Sequence, residues 1–288
     1  MGENDLLRHP CFNSQSSHNV GRIHLPVSPT CNISCRFCRR EFDKVQNRPG
    51  VSFGILKKEN VADTLQKAIA LCPQINVIGI AGPGESLDGN NALDALEIAH
   101  RKYPFLIKCL STNGLLLPSK VDDLVSRGVL TLTVTVNAVS PEILADIVAQ
   151  ISYEGKIIKG IEAAEILISN QLEGIRKAAS AGLKVKVNTV LIPQINFSHI
   201  ADIAQAVQKA GASIYNIIPL IPQGDFFNYA PPDCSMISVA RQKAQKYIEI
   251  FYHCRHCRAD ACGIPSKNDF AKQLYNGIEM LPETFSHG

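Results

Sequence analysis

Cys31-Asn-Ile-Ser-Cys35-Arg-Phe-Cys38 sets three thiols along one short stretch, with three and then two residues between them. Three thiolates can hold three corners of a cubane iron–sulfur cluster, whereas a cluster fully held by protein takes four. The fourth iron is then left open, and an open iron is a place where a small chelating molecule can bind through an amino and a carboxylate group. A structural zinc site is the rival reading. It usually draws four ligands from paired knuckles with two to four residues between partners, and this triplet has no adjacent fourth ligand.

Phe37, directly before the third cysteine, gives the stretch a pattern that resembles the radical SAM superfamily, which keeps an aromatic residue at that place. The resemblance implies S-adenosylmethionine (SAM) at the open iron, and a cluster that supplies one electron to cleave the sulfonium and release a 5′-deoxyadenosyl radical. That chemistry belongs to the cofactor more than to the protein.

The elements that must position such a site follow from periodicity. Arg22 to Ser28 alternates and reads as a strand delivering the cysteine loop from its carboxyl end, where parallel α/β barrels carry function. A helical pattern over 58–71 leads to the apolar run 74–81, a buried parallel strand closed by the Gly82-Pro-Gly-Glu85 turn. Helix 92–102, strand 105–110, helix 119–127 and strand 130–136 follow. Ser140 and Pro141 mark a further helix start, serine as cap and proline in the first turn. Residues 159–181 read as one extended helix or two short ones, 183–191 as the fifth strand, 199–211 as a helix, 214–220 as the sixth strand and 235–252 as a last helix. The fold expected is α/β: a partial (β/α)6 TIM-type barrel with N- and C-terminal extensions. Residues 1–21 form the N-terminal segment, 22–230 the barrel, and 231–288 the C-terminal helix, CxxC segment and tail of a single structural unit.

Composition narrows the class. The chain has 288 residues, 45% hydrophobic and 19% charged, which suffices for one barrel-sized core. A net charge of +3 without any long Lys/Arg block gives no case for nucleic acid. No apolar run approaches the ~18 to 20 residues that span a bilayer, and the acidic start Met-Gly-Glu-Asn-Asp is unlike a secretory signal, so a cytoplasmic location is expected. Ten cysteines in a reducing compartment point to metal or redox use.

The loops after the strands supply further candidates. Gly82 and Gly84 let backbone approach a ligand closely, and Glu85 can accept from the ammonium of the SAM methionine. Asn113, Asn137 and Asn188 lie at or near strand ends; with Ser111 and Thr112 they offer donors and acceptors to ribose, carboxylate and adenine. Each asparagine alone is most often a turn residue. Cys254 and Cys257 form a CxxC, with Cys262 five residues on, which suits a redox pair, a zinc knuckle or a cluster. Cys109 by itself reads as a core residue, and Cys72 and Cys234 as structural ones.

Taken together, His9-Pro-Cys11, Gly21-Arg-Ile-His-Leu-Pro-Val27, the triplet, Arg48-Pro-Gly-Val51, Ala81 to Glu85, Cys109 to Gly114, Thr135 to Ala138, Gln171 to Gly174, Val187 to Pro193, Asn216 to Pro222 and Cys257 to Ala261 resemble the NifB family over nearly the whole chain. These are the radical SAM maturases of the nitrogenase cofactor. The resemblance implies two further [4Fe-4S] clusters that are fused into a carbide-centred eight-iron cluster. One SAM gives a methyl group, a second gives the radical that abstracts hydrogen from it, and an additional sulfur atom completes the product. Carried over by position, His9, Cys11 and Cys109 hold one substrate cluster, and Cys254 and Cys257 the other. An iron–sulfur cluster donor, an electron donor and a cofactor-scaffold protein are the implied partners. Where the family has Tyr/Phe-Asp-Cys-x-Asn-Glu, this chain reads Phe42-Asp-Lys44-Val-Gln-Asn47 and lacks a cysteine and a glutamate, so Cys262 is the candidate third thiolate for the second cluster. Two other readings stay open: a radical SAM enzyme acting on a peptide or small molecule with an electron-relay cluster at Cys254 and Cys257, and a non-catalytic iron–sulfur carrier.

Overall fold

The apolar runs expected as strands lie side by side in one sheet of a computed structural model that describes residues 8–278 except 14 and 266. Residues 1–7 of the N-terminal segment and 279–288 of the tail are outside the described residues. In chain order the strands are β1 (Gly21–His24), β2 (Ile33–Cys35), β3 (Glu41–Phe42), β4 (Val51–Ser52), β5 (Ile75–Ile80), β6 (Ile107–Thr112), β7 (Val129–Thr135), β8 (Val148–Tyr153), β9 (Lys156–Lys159), β10 (Lys184–Leu191), β11 (Ile214–Pro219), β12 (Glu249–Ile250) and β13 (Cys262–Gly263). The helices are α1 (Val61–Leu71), α2 (Asn91–Lys102), α3 (Leu117–Ser126), α4 (Pro141–Ile147), α5 (Gly160–Ser180), α6 (Ile200–Ala210), α7 (Cys234–Ala244) and α8 (Ala271–Tyr275).

Strands β1, β5, β6, β7, β10 and β11 are neighbours in chain order and all parallel, the six units expected of a partial barrel. The short β12 continues the sheet in parallel beyond β11, and β13 pairs antiparallel with β1 at the other edge. The two edge strands do not meet, so the sheet is open. Nearly continuous apolar runs such as Ile75-Asn-Val-Ile-Gly-Ile80 suit strands covered on both faces. The helices bury one stripe each against them, as α1 does with Val61, Thr64, Leu65 and Ala68. Ser140 caps α4 through its side chain, which accepts from the Ile143 amide, with Pro141 in the first turn.

Two regions differ from the periodicity. The helix expected to run to 252 stops at Ala244, because Glu249 and Ile250 add a strand to the exposed edge of β11 and the Phe251 amide donates to the Tyr215 carbonyl at 2.8 Å. The stretch after α4 turns into the β8–β9 hairpin through Glu154 and Gly155, both at positive φ, 49° and 75°. A Glu-Gly pair is a weaker hairpin signal than Asn-Gly or Asp-Gly. Through it β2, inside the cysteine loop, gains a partner: Ile33 faces Ile151 and Cys35 faces Val148. The N-terminal segment reaches the same end of the molecule from elsewhere, packing Phe12 against Ile214 and Phe251, with Cys11, Cys109 and Cys254 against that cluster.

Candidate functional site

The carboxyl ends of the parallel strands open into a cavity of about 350 Å3. Cys31, Cys35, Phe37 and Cys38 form one wall. Their loop is not a free coil: the Ser152 amide donates to the Asn32 carbonyl at 2.7 Å, the Arg36 amide to the Ile147 carbonyl at 2.9 Å, and the Cys38 amide to the Cys35 carbonyl at 3.0 Å. The β8–β9 hairpin therefore fixes the path of the cysteines. Desolvation pushes the Cys31 thiol up to about 12, and Cys35 and Cys38 are raised for the same reason. Neighbouring thiols add to the rise at Cys31 and Cys35, and the Arg40 guanidinium opposes it at all three. Thiols so placed stay protonated until a metal displaces the proton. Three sulfurs facing one cavity, with no fourth thiol in their loop, fit a cubane held at three corners.

Beside them lies the glycine loop. The Gly84 amide donates to the Ser28 carbonyl and the Glu85 amide to the Thr30 carbonyl, each at 2.7 Å, so the loop runs as a rung beside the residues that enter the triplet. Glu85 is buried, and its carboxylate ties the β5 loop to the end of β6. Oε1 accepts from Thr112 Oγ1 at 2.5 Å and from the Leu87 amide at 3.0 Å, and Oε2 accepts from the Asn113 amide at 2.6 Å. A carboxylate has roughly four lone-pair sites, so Oε2 keeps room for one more donor, such as the ammonium of a bound amino acid. Asn113 in turn donates from Nδ2 to Asn32 Oδ1 at 2.7 Å, which joins the glycine side of the cavity to the cysteine loop.

Burial pushes the Glu85 carboxyl up to about 7, against the opposing pull of Thr112, Asn113 and Leu87. A folded-state value above the ordinary one gives a contribution that is full below about 4.5 and is lost as pH rises through about 7. We therefore expect wild-type thermal stability, measured relative to Glu85→Gln, to decline between those limits and to level off above them. A constant difference across the range would count against a buried, titrating Glu85. Glu85→Gln should itself cost about 1–3 kcal/mol, because an amide –NH2 must confront an amide donor at one of the two oxygens.

Ser111, Thr112, Asn137 and Asn188 also line the cavity. Asn137 Oδ1 accepts from the Val190 amide at 2.9 Å and Asn188 Oδ1 from Asn216 Nδ2 at 3.0 Å, so neighbouring segments of the sheet are cross-tied by the residues expected to meet a cofactor. The periodicity did not single out Gln171, which reaches in from α5 and donates to the Asn113 and Thr135 carbonyls at 2.8 and 2.9 Å. Two sequence signals mark it: a polar side chain on the buried stripe of α5, and its place in the Gln171 to Gly174 motif of the family resemblance.

His9, Cys11, Cys109, Cys254 and Cys257 line the same cavity as the triplet, although they come from the N-terminal segment, β6 and the C-terminal segment. Burial pushes the Cys11 thiol up to about 12 and raises Cys109. Two histidines stand near them. His9 Nδ1 accepts from the Cys11 amide at 3.1 Å, so in the neutral ring the proton sits on Nε2, which is buried without a partner. His24 bonds through Nδ1 to the Arg258 carbonyl at 3.0 Å. A carbonyl only accepts, so Nδ1 carries the proton and Nε2 keeps its lone pair, the arrangement that metal-ligating histidines show. Burial, then the Arg22 charge, hold His24 down at about 4, so the ring is neutral near pH 7. The sequence did carry a trace of this: Arg22 and His24 are alternate residues on one face of an otherwise apolar strand.

Arg22 donates from Nη2 to Cys257 Sγ at 3.2 Å and from Nη1 to the Gly263 carbonyl at 2.6 Å. Cys262 does not join this group. The structure packs it, fully buried, into the main core on β13, paired with Ile23, and it is absent from the cavity wall. The expectation that it replaces the missing thiolate is corrected on that ground: backbone pairing of β13 with β1 turns its side chain inward. The 43–47 loop is closed on itself, with Asp43 Oδ1 accepting from the Val45 and Gln46 amides, and it is clamped by Arg258, which donates to the Asp43 and Gln46 carbonyls. Lys44 is exposed.

Among the described residues no helix is long and apolar enough to cross a membrane. The family model of the Radical SAM superfamily matches residues 25–207. The FeMo cofactor biosynthesis protein NifB of Methanocaldococcus infernus is 47% identical over 272 residues, 94% of this chain and 90% of that protein. The protein of the same description from Methanocaldococcus jannaschii is 47% identical over 269 residues, 93% of this chain and 89% of its own length. Among solved structures, SuiB of Streptococcus suis superposes with a TM-score of 0.58 at 12% identity, covering 84% of this chain and 53% of that one, a likeness of fold.

Proposed function

Since the chain belongs to the radical SAM superfamily and, within it, to the NifB family of FeMo cofactor biosynthesis enzymes, we propose that it fuses two [4Fe-4S] clusters into a carbide-centred eight-iron precursor, with SAM as methyl and radical source. The observation that supports this reading is that one cavity is lined both by the triplet and by further cysteines and histidines, side-chain types that can ligate iron.

Cys31, Cys35 and Cys38 are the residues that would hold the resident cluster, which when bound supplies the single electron for reductive cleavage of SAM. Gly82 and Gly84 leave the backbone bare beside the triplet, and Glu85 Oε2 offers the remaining acceptor for the methionine ammonium. Ser111, Thr112, Asn113, Asn137 and Asn188 shape the floor between them, with the Thr112 and Asn113 oxygens fixing the turn after β6 and the Asn137 and Asn188 oxygens tying neighbouring segments together. The apolar side chains Phe37, Leu144, Val148 and Leu167 line part of the wall and keep water away from the reacting atoms.

The substrate clusters are assigned to Cys11 and Cys109 on one side and Cys254 and Cys257 on the other. The nitrogen ligand of the first is read as His24 in place of His9, because only His24 presents a lone pair with its other ring nitrogen already donating. Mixed nitrogen–sulfur ligation, and a pair of thiolates without a third, hold a cluster less firmly than four thiolates and suit one that must leave. We expect His24→Ala to remove the imidazole nitrogen coupling from pulsed EPR spectra of the loaded protein, and His9→Ala to leave it in place. The reverse result would return the ligand role to His9. A cluster donor, an electron donor and a cofactor scaffold are the partners this activity requires.

The function itself is tested by loading the chain anaerobically with iron and sulfide, adding SAM and dithionite, and extracting the product. An eight-iron species that activates cofactor-less nitrogenase is expected. Deoxyadenosine formed with no such species would instead favour action on a peptide or small molecule.

A further inference from the structure

Lys186 stands on β10 with its side chain in the cavity wall, only 6% exposed. Its ammonium donates to the Cys11 carbonyl at 3.0 Å and lies 4.9 Å from the ring centre of Phe12 and 5.2 Å from that of Phe251. No carboxylate pairs with it among the described residues. A buried cation without an anionic partner is costly, and two aromatic faces with one carbonyl offset only part of that. The thiols packed against the same cluster of Phe12 and Phe251 are Cys11, Cys109 and Cys254, and the Lys186 charge acts on the first two. Iron ligation turns both thiols into thiolates. Cys257 already has Arg22 at hydrogen-bond distance; Cys11 and Cys109 have Lys186.

We infer that Lys186 is a positioning residue whose ammonium is the counter-charge to the Cys11 and Cys109 thiolates while they hold a substrate iron–sulfur cluster. This rests on the assignment of those cysteines made above. The charge does two things there. It stabilises the ligated state over the protonated one, which strengthens the hold on iron, and it favours the electron-rich form of the cluster, which raises its reduction potential. Phe12 and Phe251 fix where the charge sits, so the N-terminal segment and the strap after β12 are brought to β10 by the same group that the cluster needs.

The test uses the full-length chain with Cys31, Cys35, Cys38, Cys254 and Cys257 replaced by serine, so that one site alone can load. In that background Lys186→Met keeps an apolar stem between the two rings. It should lose iron to a chelator on the order of tenfold faster, as expected for removal of a charge-assisted contact, and its midpoint potential should move negative. Lys186→Arg should restore most of both, which a purely packing role for the stem would not require. If Lys186→Met does not fold, Lys186→Gln, which keeps a donor for the Cys11 carbonyl, takes its place. A second measurement separates the inference from its premise: Cys109→Ala in the same background should lose the iron. If Cys109→Ala is iron-free while the Lys186 variants keep wild-type release rate and potential, the counter-charge role is overturned and the cluster assignment stands. If Cys109→Ala retains its iron, both are overturned.

Discussion

Cys35→Ser should reduce 5′-deoxyadenosine formation from SAM under dithionite by at least about a hundredfold, since loss of an outer-shell partner alone can cost that much at a metal site and Cys35 is read as a direct ligand. Its position makes it the cleanest of the three thiols to replace. Cys35 lies at the end of β2, opposite Val148, so the hairpin fixes its backbone, and a serine there leaves the pairing intact. Stability should change by no more than about 1 kcal/mol, and the iron content should fall by one cluster. Deoxyadenosine formed at the wild-type rate by the serine variant would remove the triplet from the chemistry, and with it the reading of the whole cavity.

A comparable loss is expected from a substitution that touches no metal ligand. In Gly84→Ala the added Cβ would lie 2.0 Å from the Thr30 carbonyl oxygen, 2.8 Å from its carbon and 2.9 Å from Arg40 Nη1. The first two are backbone atoms one residue before Cys31, held by the Glu85 amide, so no flexible side chain can swing aside. Either the glycine loop leaves its rung beside Ser28 and Thr30, or the entry to the triplet moves. We expect a cost of about 3 kcal/mol, the upper part of the overpacking range, together with loss of SAM cleavage. Differential scanning calorimetry separates this variant from Cys35→Ser, because Gly84→Ala should lower both melting temperature and turnover, whereas Cys35→Ser lowers turnover alone. A Gly84→Ala protein with unchanged melting temperature would mean that the two loops are not packed as described.

The two substitutions also mark what each level of description supplies. The triplet, the glycine turn and the six strand–helix units were legible in the chain itself, because they are local: thiol spacing decides how many corners of a cubane the protein can fill, and hydrophobic period separates strands from helices within a dozen residues. The β2–β8–β9 sheet was not legible, since Ile33 and Ile151 are far apart in sequence and the intervening turn uses Glu-Gly. Nor was the end of α7, where helix period continues but an unpaired edge of β11 draws the chain into a strand.

By itself the sequence determined which chemistry is possible, through residue types at short spacing: an open-cornered cluster, a bare glycine loop beside it, and more thiols than a core needs. Only the tertiary structure decided which of those groups face one another. The Arg258 carbonyl, 234 residues away, sets the protonated nitrogen of His24. Antiparallel pairing with β1 turns Cys262 into the core. Phe12 and Phe251 converge on Lys186 from opposite ends of the chain. Protonation state, orientation and counter-charge depend on partners brought together by folding, and residue spacing along the chain carries no record of those distances.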